Sequence, residues 1–391
     1  MRSVSTRHVL LAWGMGSLLA SLPLYISGSL ATRSGSTSPY ETLSAATFEG
    51  VSALTSCGLT VSTRPDTLDP SIQLYRSGLE WIGGLGMVMI VGMAMRGQLR
   101  RDIQDQSGWS ATHHDPAPIT ARRVVLVYTI LTAAAALAFA AAGMPPWQAL
   151  NHALTGISTG GFVITAEGFG NYSSAVKITA MVAMTVGALS MVLLASPPRS
   201  WLRRTSPERD TALVYLALLA AGGLMFVSLA RPASWSALDT WFQWFSACTT
   251  TGFSATGPLE QLDPASTWTL AAVPGPVVIL LTMMLIGGMR RSTAGGVKID
   301  RVLRFAAAWK ERMPAATLLI WTTSGIAGGI LLNLSTPRDA WEATFEAVSA
   351  LGTVGLSSGL ATSESGLFTR AVLITLMIVG RLELVLSRAD N

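Results

Sequence analysis

Four short stretches of this sequence carry residue types that can hold a desolvated cation. They are Thr55-Ser56-Cys57-Gly58, Ser158-Thr159-Gly160-Gly161, Thr249-Thr250-Thr251-Gly252 and Gly352-Thr353-Val354-Gly355, and each is followed by Leu or Phe. A cation entering a narrow path must exchange its water shell for oxygens of similar field strength. Backbone carbonyls supply these where the chain turns them inward. Glycine tolerates the backbone angles required and lets neighbouring loops come close. The small and hydroxylated residues ahead of each glycine suit an extended strand with little bulk. The carbonyls of these residues are therefore the expected ion ligands.

The elements that must position them repeat with the stretches. Each closes a longer copy, at 48–59, 151–162, 242–253 and 345–356, and the first and last copies are the most alike. The glycines recur roughly every hundred residues, each copy lying between two long apolar runs. The residues just before each stretch predict a helix too brief to cross a bilayer, which takes about 20 residues. Such a helix would aim its negative C-terminal end at the cation. Irregular backbone at membrane depth is tolerated only where protein buries it or it lines a cavity. The expected fold is an all-α integral membrane protein with four helix–pore loop–helix repeats around one central pore. Its expected divisions are repeat one (1–96, pore loop 41–62), a linker (97–123), repeat two (124–197, pore loop 147–165) and a second linker (198–209). Repeat three (210–312) has its pore loop at 238–256, and repeat four (313–391) has its own at 341–359.

Composition agrees with a bilayer-embedded chain. Of 391 residues half are hydrophobic and 13% charged, with a mean hydropathy of +0.46. A soluble domain carries about 25% charged residues. The net charge of +5 collects in the junctions, at Arg96, Arg100, Arg101, Arg122 and Arg123, at Arg199, Arg203, Arg204 and Arg209, and across 290–312. The motif-side loops hold more acids, among them Asp66, Asp69, Glu167, Glu260, Asp263 and Glu364. The positive-inside rule then puts both termini and all junctions in the cytoplasm, with eight spanning helices in the cytoplasmic (inner) membrane. The basic excess thus marks topology, and no nucleic-acid partner is expected. Arg2, Arg7 and the apolar run 9–30 resemble a signal peptide. The run is long enough to span, and repeat symmetry needs a helix there, so we expect it to be retained. Trp81, Trp147, Trp201 and Trp341 fall at predicted span ends, as interfacial anchors do. Cys57 and Cys248 both lie inside the motifs, which excludes a disulfide framework.

Two further features bear on gating. Gly287-Gly288-Met289-Arg290-Arg291-Ser292-Thr293-Ala294-Gly295-Gly296-Val297 interrupts the second span of repeat three. Its glycines, Gly287, Gly288, Gly295 and Gly296, break a helix, and Ser292 and Thr293 can satisfy freed backbone groups within the membrane. A plain cytoplasmic turn is the alternative. Arg381 lies deep in the last apolar span, where a lone charge costs a few kcal/mol and must face a cavity or a partner. Snorkelling to the surface beside Glu383 is the alternative there. Gly83, Gly84, Gly86 and Gly92 read as helix-packing sites. Glu80, one turn after Arg76, has the spacing of a helix-surface ion pair, with a cation-attracting role as the alternative.

Catalysis finds little support. Gly156-Ile157-Ser158-Thr159-Gly160 spells G-x-S-x-G with His152 nearby, the basis of a remote reading as an intramembrane serine hydrolase. It lacks the strand–turn–helix context that gives the pattern meaning. No Cys/His cluster has metal-site spacing and no P-loop occurs. The expectation is no enzyme, no catalytic residue and no built-in cofactor.

The four motifs, together with Arg76-Ser77-Gly78-Leu79-Glu80-Trp81-Ile82-Gly83-Gly84-Leu85-Gly86, resemble the filter loops of the Trk/Ktr/HKT superfamily of potassium transporters. The resemblance covers nearly the whole chain. With no extra helix pair before repeat one, it is most similar to membrane subunits of the Ktr type (KtrB). The resemblance implies potassium at the filter carbonyls, because all four loops carry glycine. Sodium or non-selective cation passage is the alternative on the same fold. It further implies that the stretch 287–297, including Ala294, is an intramembrane gate, and that Arg381 projects into the pore beside it. It implies a homodimer with one pore per protomer, and a cytosolic RCK-type (KtrA/TrkA-like) regulatory ring. ATP, ADP or NAD would bind on that separate subunit alone. The basic junctions would dock the ring, although such patches also bind anionic lipid. Two departures stand out: Asn151 where the other copies have Phe, and Glu80 where the family usually has Gln.

Overall fold

Four short helices lie at the centre, at Leu43–Leu54, Pro146–Ile157, Ala237–Cys248 and Ala340–Gly352. Local chemistry starts them. Thr42 Oγ1 accepts the Ala45 N–H at 3.2 Å and Ser236 Oγ accepts the Asp239 N–H at 3.0 Å, as N-caps do. Pro146 occupies the first turn of the second, where no N–H is needed. At 12 or 13 residues each they rise about 18–20 Å, short of a bilayer core. The computed structural model describes residues 6–106, 121–196, 207–231, 235–256, 269–270, 273–307 and 313–386. Arg199, Trp201, Arg203, Arg204, Glu260 and Asp263 lie outside these, as does the side chain of Glu383.

Longer helices flank the short ones at Thr6–Arg33, Pro70–Gln106, Ala121–Ala141, Ser174–Ala188, Met313–Ser335 and Leu367–Leu386, and an 11-residue helix at Gly275–Leu285 flanks the third. A further one runs from Pro207 to Ala230 through a π-turn at Leu218–Gly222. The π-turn has an identifiable cause. Trp244 Nε1 donates to the Leu219 carbonyl at 3.1 Å, and Gly222 and Gly223 lie so close to the rings of Trp244 and Trp241 that a Cβ would overlap them. The helix from Pro70 extends to Gln106, into the stretch read as linker, because its Arg, Gln and Leu residues are good helix formers.

Among the described residues, Trp13–Arg33, Ala121–Ala141 and Glu208–Leu229 are long and apolar enough to cross a membrane. Ser174–Ala188, Gly275–Leu285 and Leu319–Ser335 are shorter apolar helices. Outer faces carry bare Leu137 (73% exposed), Leu229 (67%) and Leu334 (78%), while Glu49, Ser52, Gln243 and Glu346 are wholly buried. Apolar outside and polar inside is the distribution of a multi-pass membrane protein. The apolar contacts form three clusters that each join different parts of the chain. Phe48, Leu332 and Met377 belong to one, Tyr128, Phe139 and Phe253 to another, and Tyr215, Met284 and Phe345 to the third. Gly83 and Gly84 press against Leu54 and Ser158, as packing glycines do. Gly86 meets nothing within 4 Å, so packing does not explain it.

Candidate functional site

Each short helix ends in the same way. A hydroxylated residue turns left-handed (Ser56 φ 49°, Thr159 50°, Thr250 52°, Thr353 47°), and two residues later a glycine does so (Gly58 85°, Gly161 91°, Gly252 89°, Gly355 91°). Left-handed Ser and Thr are uncommon and strained, and strain of this kind gathers at functional sites. The bend is held by the N–H groups of Cys57, Gly160, Thr251 and Val354, which donate back to the short helices at 2.8–3.0 Å.

The four loops close on one another. A Cβ on Gly58 would overlap the carbonyl oxygen of Gly160, one on Gly161 that of Thr251, one on Gly252 that of Val354, and one on Gly355 that of Cys57. The contacts therefore run from the first loop to the second, third, fourth and back to the first. Each missing side chain is replaced by the next loop's carbonyl, so glycine is required twice over, by its backbone angle and by its neighbour. Ser246 Oγ and Ser349 Oγ accept the Gly252 and Gly355 N–H groups at 3.0 Å. A trans peptide sets N–H and C=O on opposite sides, so the Thr251 and Val354 carbonyls face away from those helices.

Behind the ring, a buried polar residue on each short helix faces the loop's return limb or its own helix. Glu49 accepts the Val61 N–H at 3.0 Å and Glu346 that of Ser358 at 2.8 Å. Gln243 Nε2 donates to Ser254 and Thr256 at 3.3 and 3.2 Å. His152 occupies the matching place and donates through Nδ1 to the Gln148 carbonyl at 2.9 Å. Arg76 (1% exposed) pairs with Glu49 at 2.7 Å and stands 4.2 Å from the Phe162 ring centroid. The spacing argument for an Arg76–Glu80 surface pair is thus overturned. That helix is buried on several sides, and Glu80 (0% exposed) instead takes the Phe162 N–H at 3.2–3.3 Å. In the exposed segment beyond the first loop, a hydrogen bond from Arg64 holds the Asp66 carboxyl below its usual range.

The stretch 287–297 is not an exposed turn: Ser292 is 2% exposed, and Thr293 and Ala294 are fully buried. Its neck is a parallel pairing of Ile286–Gly287 with Val297–Lys298. Thr293 Oγ1 reaches the carbonyls of Ile157 (3.0 Å) and Gly187 (2.9 Å) and lies 3.2 Å from Thr159 Oγ1. Gly295 N–H donates to Thr250 Oγ1 at 2.7 Å, and Gly296 N–H to the Gly352 carbonyl at 3.1 Å. The loop is thereby fastened to three of the four ring loops. Gly288 lies against Ala188, and Ser292 Oγ bonds the Met289 carbonyl at 2.7 Å. Arg381, 3% exposed, donates to the Thr293 carbonyl at 3.0 Å, which replaces the snorkelling alternative. Lys298, which the sequence reading passed over, is buried and donates to the carbonyls of Ala294 and Gly295. Its place directly after a glycine-rich break was the one available signal.

The hydrolase pattern does not assemble. Ser158 Oγ bonds the Thr155 carbonyl at 3.1 Å, while His152 sits among Phe139, Phe169, Tyr172 and Phe253. Among the described residues no group of His, Cys, Asp and Glu could hold a metal.

A family model described as TrkH, cation transport protein, matches residues 17–196. The chain is 30% identical over 301 residues to the Trk system potassium uptake protein TrkI of Halomonas elongata, across 74% of this chain and 57% of that protein. To the Trk system potassium uptake protein TrkH of the same organism it is 29% identical, across 95% of this chain and 70% of that one. The match to TrkI thus spans little more than half of that relative's length. The crystal structure of the potassium transporter TrkH from Vibrio parahaemolyticus shares the fold, with a TM-score of 0.71 over 98% of this chain and 84% of that one at 24% identity. The chain is thus similar to TrkH-type cation transport proteins across its first half and to Trk potassium uptake proteins over most of its length, and it shares the TrkH fold.

Proposed function

We propose that this chain is a potassium-uptake pore of the cytoplasmic membrane, with four pseudo-symmetric helix–pore loop–helix repeats around one axis. The observation that carries the reading is the closed cycle of glycine–carbonyl contacts through Gly58, Gly161, Gly252 and Gly355. Four loops that each seat a carbonyl on the next one's glycine enclose an oxygen-lined passage. Potassium sheds its water there and binds the carbonyls of residues 55–58, 158–161, 249–252 and 352–355. The short helices turn their negative ends toward the same point. The relatives' names as potassium uptake proteins support potassium over sodium.

The loop 287–297 is the gate. It bonds to three ring loops at the short helices' C-terminal ends and so lies across the exit. Arg381 adds a positive charge beside it, which opposes cations while the loop is in place. Both termini and the basic junctions face the cytoplasm, where a separate nucleotide-binding ring docks and releases the loop, and the chain works as a homodimer.

The test is rubidium uptake into proteoliposomes, with potassium or sodium as competitor. Block by potassium but not sodium is expected. Equal competition by sodium would remove the potassium assignment. No uptake even with 288–296 shortened would remove transport itself.

A further inference from the structure

Four buried positions stand in register on the second helix of each unit, three residues before a glycine: Glu80, Met184, Met284 and Met377, ahead of Gly83, Gly187, Gly287 and Gly380. All four are fully buried. Three are methionine, which fills space and carries no charge. The first is a carboxylate, and its surroundings do not explain it as packing.

The Glu80 side chain is wedged behind the second loop. A Cβ on Gly160 would overlap its carboxyl, and its two oxygens share a single donor, the Phe162 N–H, at 3.3 and 3.2 Å. Its backbone carbonyl takes Ser56 Oγ at 3.0 Å, so the residue touches the first loop as well. Among the described residues no Lys or Arg forms an ion pair with it. Arg76, one turn away, pairs with Glu49. Arg76 and Arg381 act on it only from beyond ion-pair distance. A carboxylate buried without a direct partner is disfavoured unless it takes up a proton or a bound ion supplies the charge.

Two consequences follow. The Phe162 N–H points back at Glu80, so the Gly161 carbonyl on the same planar peptide points away from it, toward the enclosed passage. The negative charge, one peptide plane behind the ring, also stabilises any cation held there.

We propose that Glu80 is the positioning and affinity-determining residue of the ion site: the bound potassium is its counter-charge, and its grip on Phe162 orients the Gly161 carbonyl. This rests on the pore reading above. It predicts that the four loops contribute unequally, with the second loop binding the cation most tightly.

The test compares Glu80→Gln with Glu80→Met in proteoliposomes and in purified protein. Glutamine keeps an acceptor for Phe162 and removes the charge, whereas methionine matches the other three positions and removes both. Glu80→Gln should raise the half-saturating rubidium concentration roughly tenfold to a hundredfold, as loss of a nearby charge in a medium of intermediate dielectric implies. Its maximal rate and its preference for potassium over sodium should persist. Glu80→Met should lose both affinity and preference. Thermal stabilisation by potassium chloride against choline chloride reads the same affinity without requiring an open gate. Its midpoint should move with the uptake value in Glu80→Gln. An unchanged half-saturation and stabilisation midpoint in Glu80→Gln would overturn the proposal. So would identical loss of affinity and preference in both variants, which would make the residue merely structural. Absence of cation flux and of potassium stabilisation in the unaltered protein would overturn the pore reading itself.

Discussion

Replacing Gly252 by serine tests the ring at one of its four contacts. Gly252 has φ 89°, and an added Cβ would overlap the Val354 carbonyl oxygen and come within 2.9 Å of the Gly355 Cα. The left-handed backbone alone costs a side chain roughly 1–2 kcal/mol. The overlap is relieved only if the Val354 carbonyl retreats by about 1 Å, and dispersion contact falls away over such a gap. That rotation takes one oxygen out of the ring, and an interaction with a charged group is worth about 1.5–3 kcal/mol. With tenfold per 1.4 kcal/mol, half-saturation by potassium should rise roughly tenfold to a hundredfold. On the potassium reading sodium fits these carbonyls less well and should change less, so its competition should improve. The assay is rubidium uptake with each competitor. Gly35→Ser is the control, because Gly35 has φ 79° with nothing within 4 Å and so suffers backbone strain without displacing a carbonyl. Unaltered potassium affinity and preference in Gly252→Ser would refute the reasoning, as would equal loss in Gly35→Ser.

Thr293→Val removes the hydroxyl bonds to Ile157 and Gly187. The hydroxyl has one proton shared between the two carbonyls, so at about 1 kcal/mol net basal rubidium uptake without any cytosolic partner should rise about fivefold, with selectivity kept. Arg381→Gln retains a donor for the Thr293 carbonyl while removing the charge, so single-turnover flux should increase several-fold, and an unchanged flux would place the charge away from the path. Arg76→Met leaves Glu49 buried without its partner, at a cost of roughly 3–5 kcal/mol. The melting temperature in detergent should drop clearly, and Glu49→Gln combined with Arg76→Met should restore much of it.

The parts legible in the sequence are those that recur. Each loop glycine answers the same backbone angle and the same neighbouring carbonyl, so the requirement is written four times at a near-constant interval. Contacts between different copies leave no such trace. Glu80 grips Phe162 across 82 residues, and Thr293 reaches Ile157 across 136. Nothing in local spacing marks either partner. The Arg76–Glu80 misreading has the same root. The four-residue rule describes a helix face in water, whereas this helix meets the first short helix through Arg76 and the second loop through Glu80. Even so, the departures in the pattern were informative: Glu80 stood where the resembled family usually has Gln, and the polar stretch after Ile286 broke an apolar span.

That broken span is where the fourfold plan fails, and the failure shows what it provides. In three units the second helix seats a glycine on the last turn of its own short helix: Gly83 on the Leu54 carbonyl, Gly187 on that of Ile157, Gly380 on that of Leu351. In the third unit the matching Gly287 meets Gly295 of the inserted loop instead, while the Cys248 carbonyl is taken by Tyr215 Oη at 2.9 Å. The third short helix is therefore anchored from its other side. If the loop is the gate proposed above, its release would break its own bonds to the ring loops but leave the third short helix held by Tyr215. A loop inserted in any of the other three units would have displaced the glycine that supports the filter, and gating would then have disturbed selectivity. On the gating proposal, confining the break to the unit with an alternative anchor would let one chain combine a fixed ring with a movable floor.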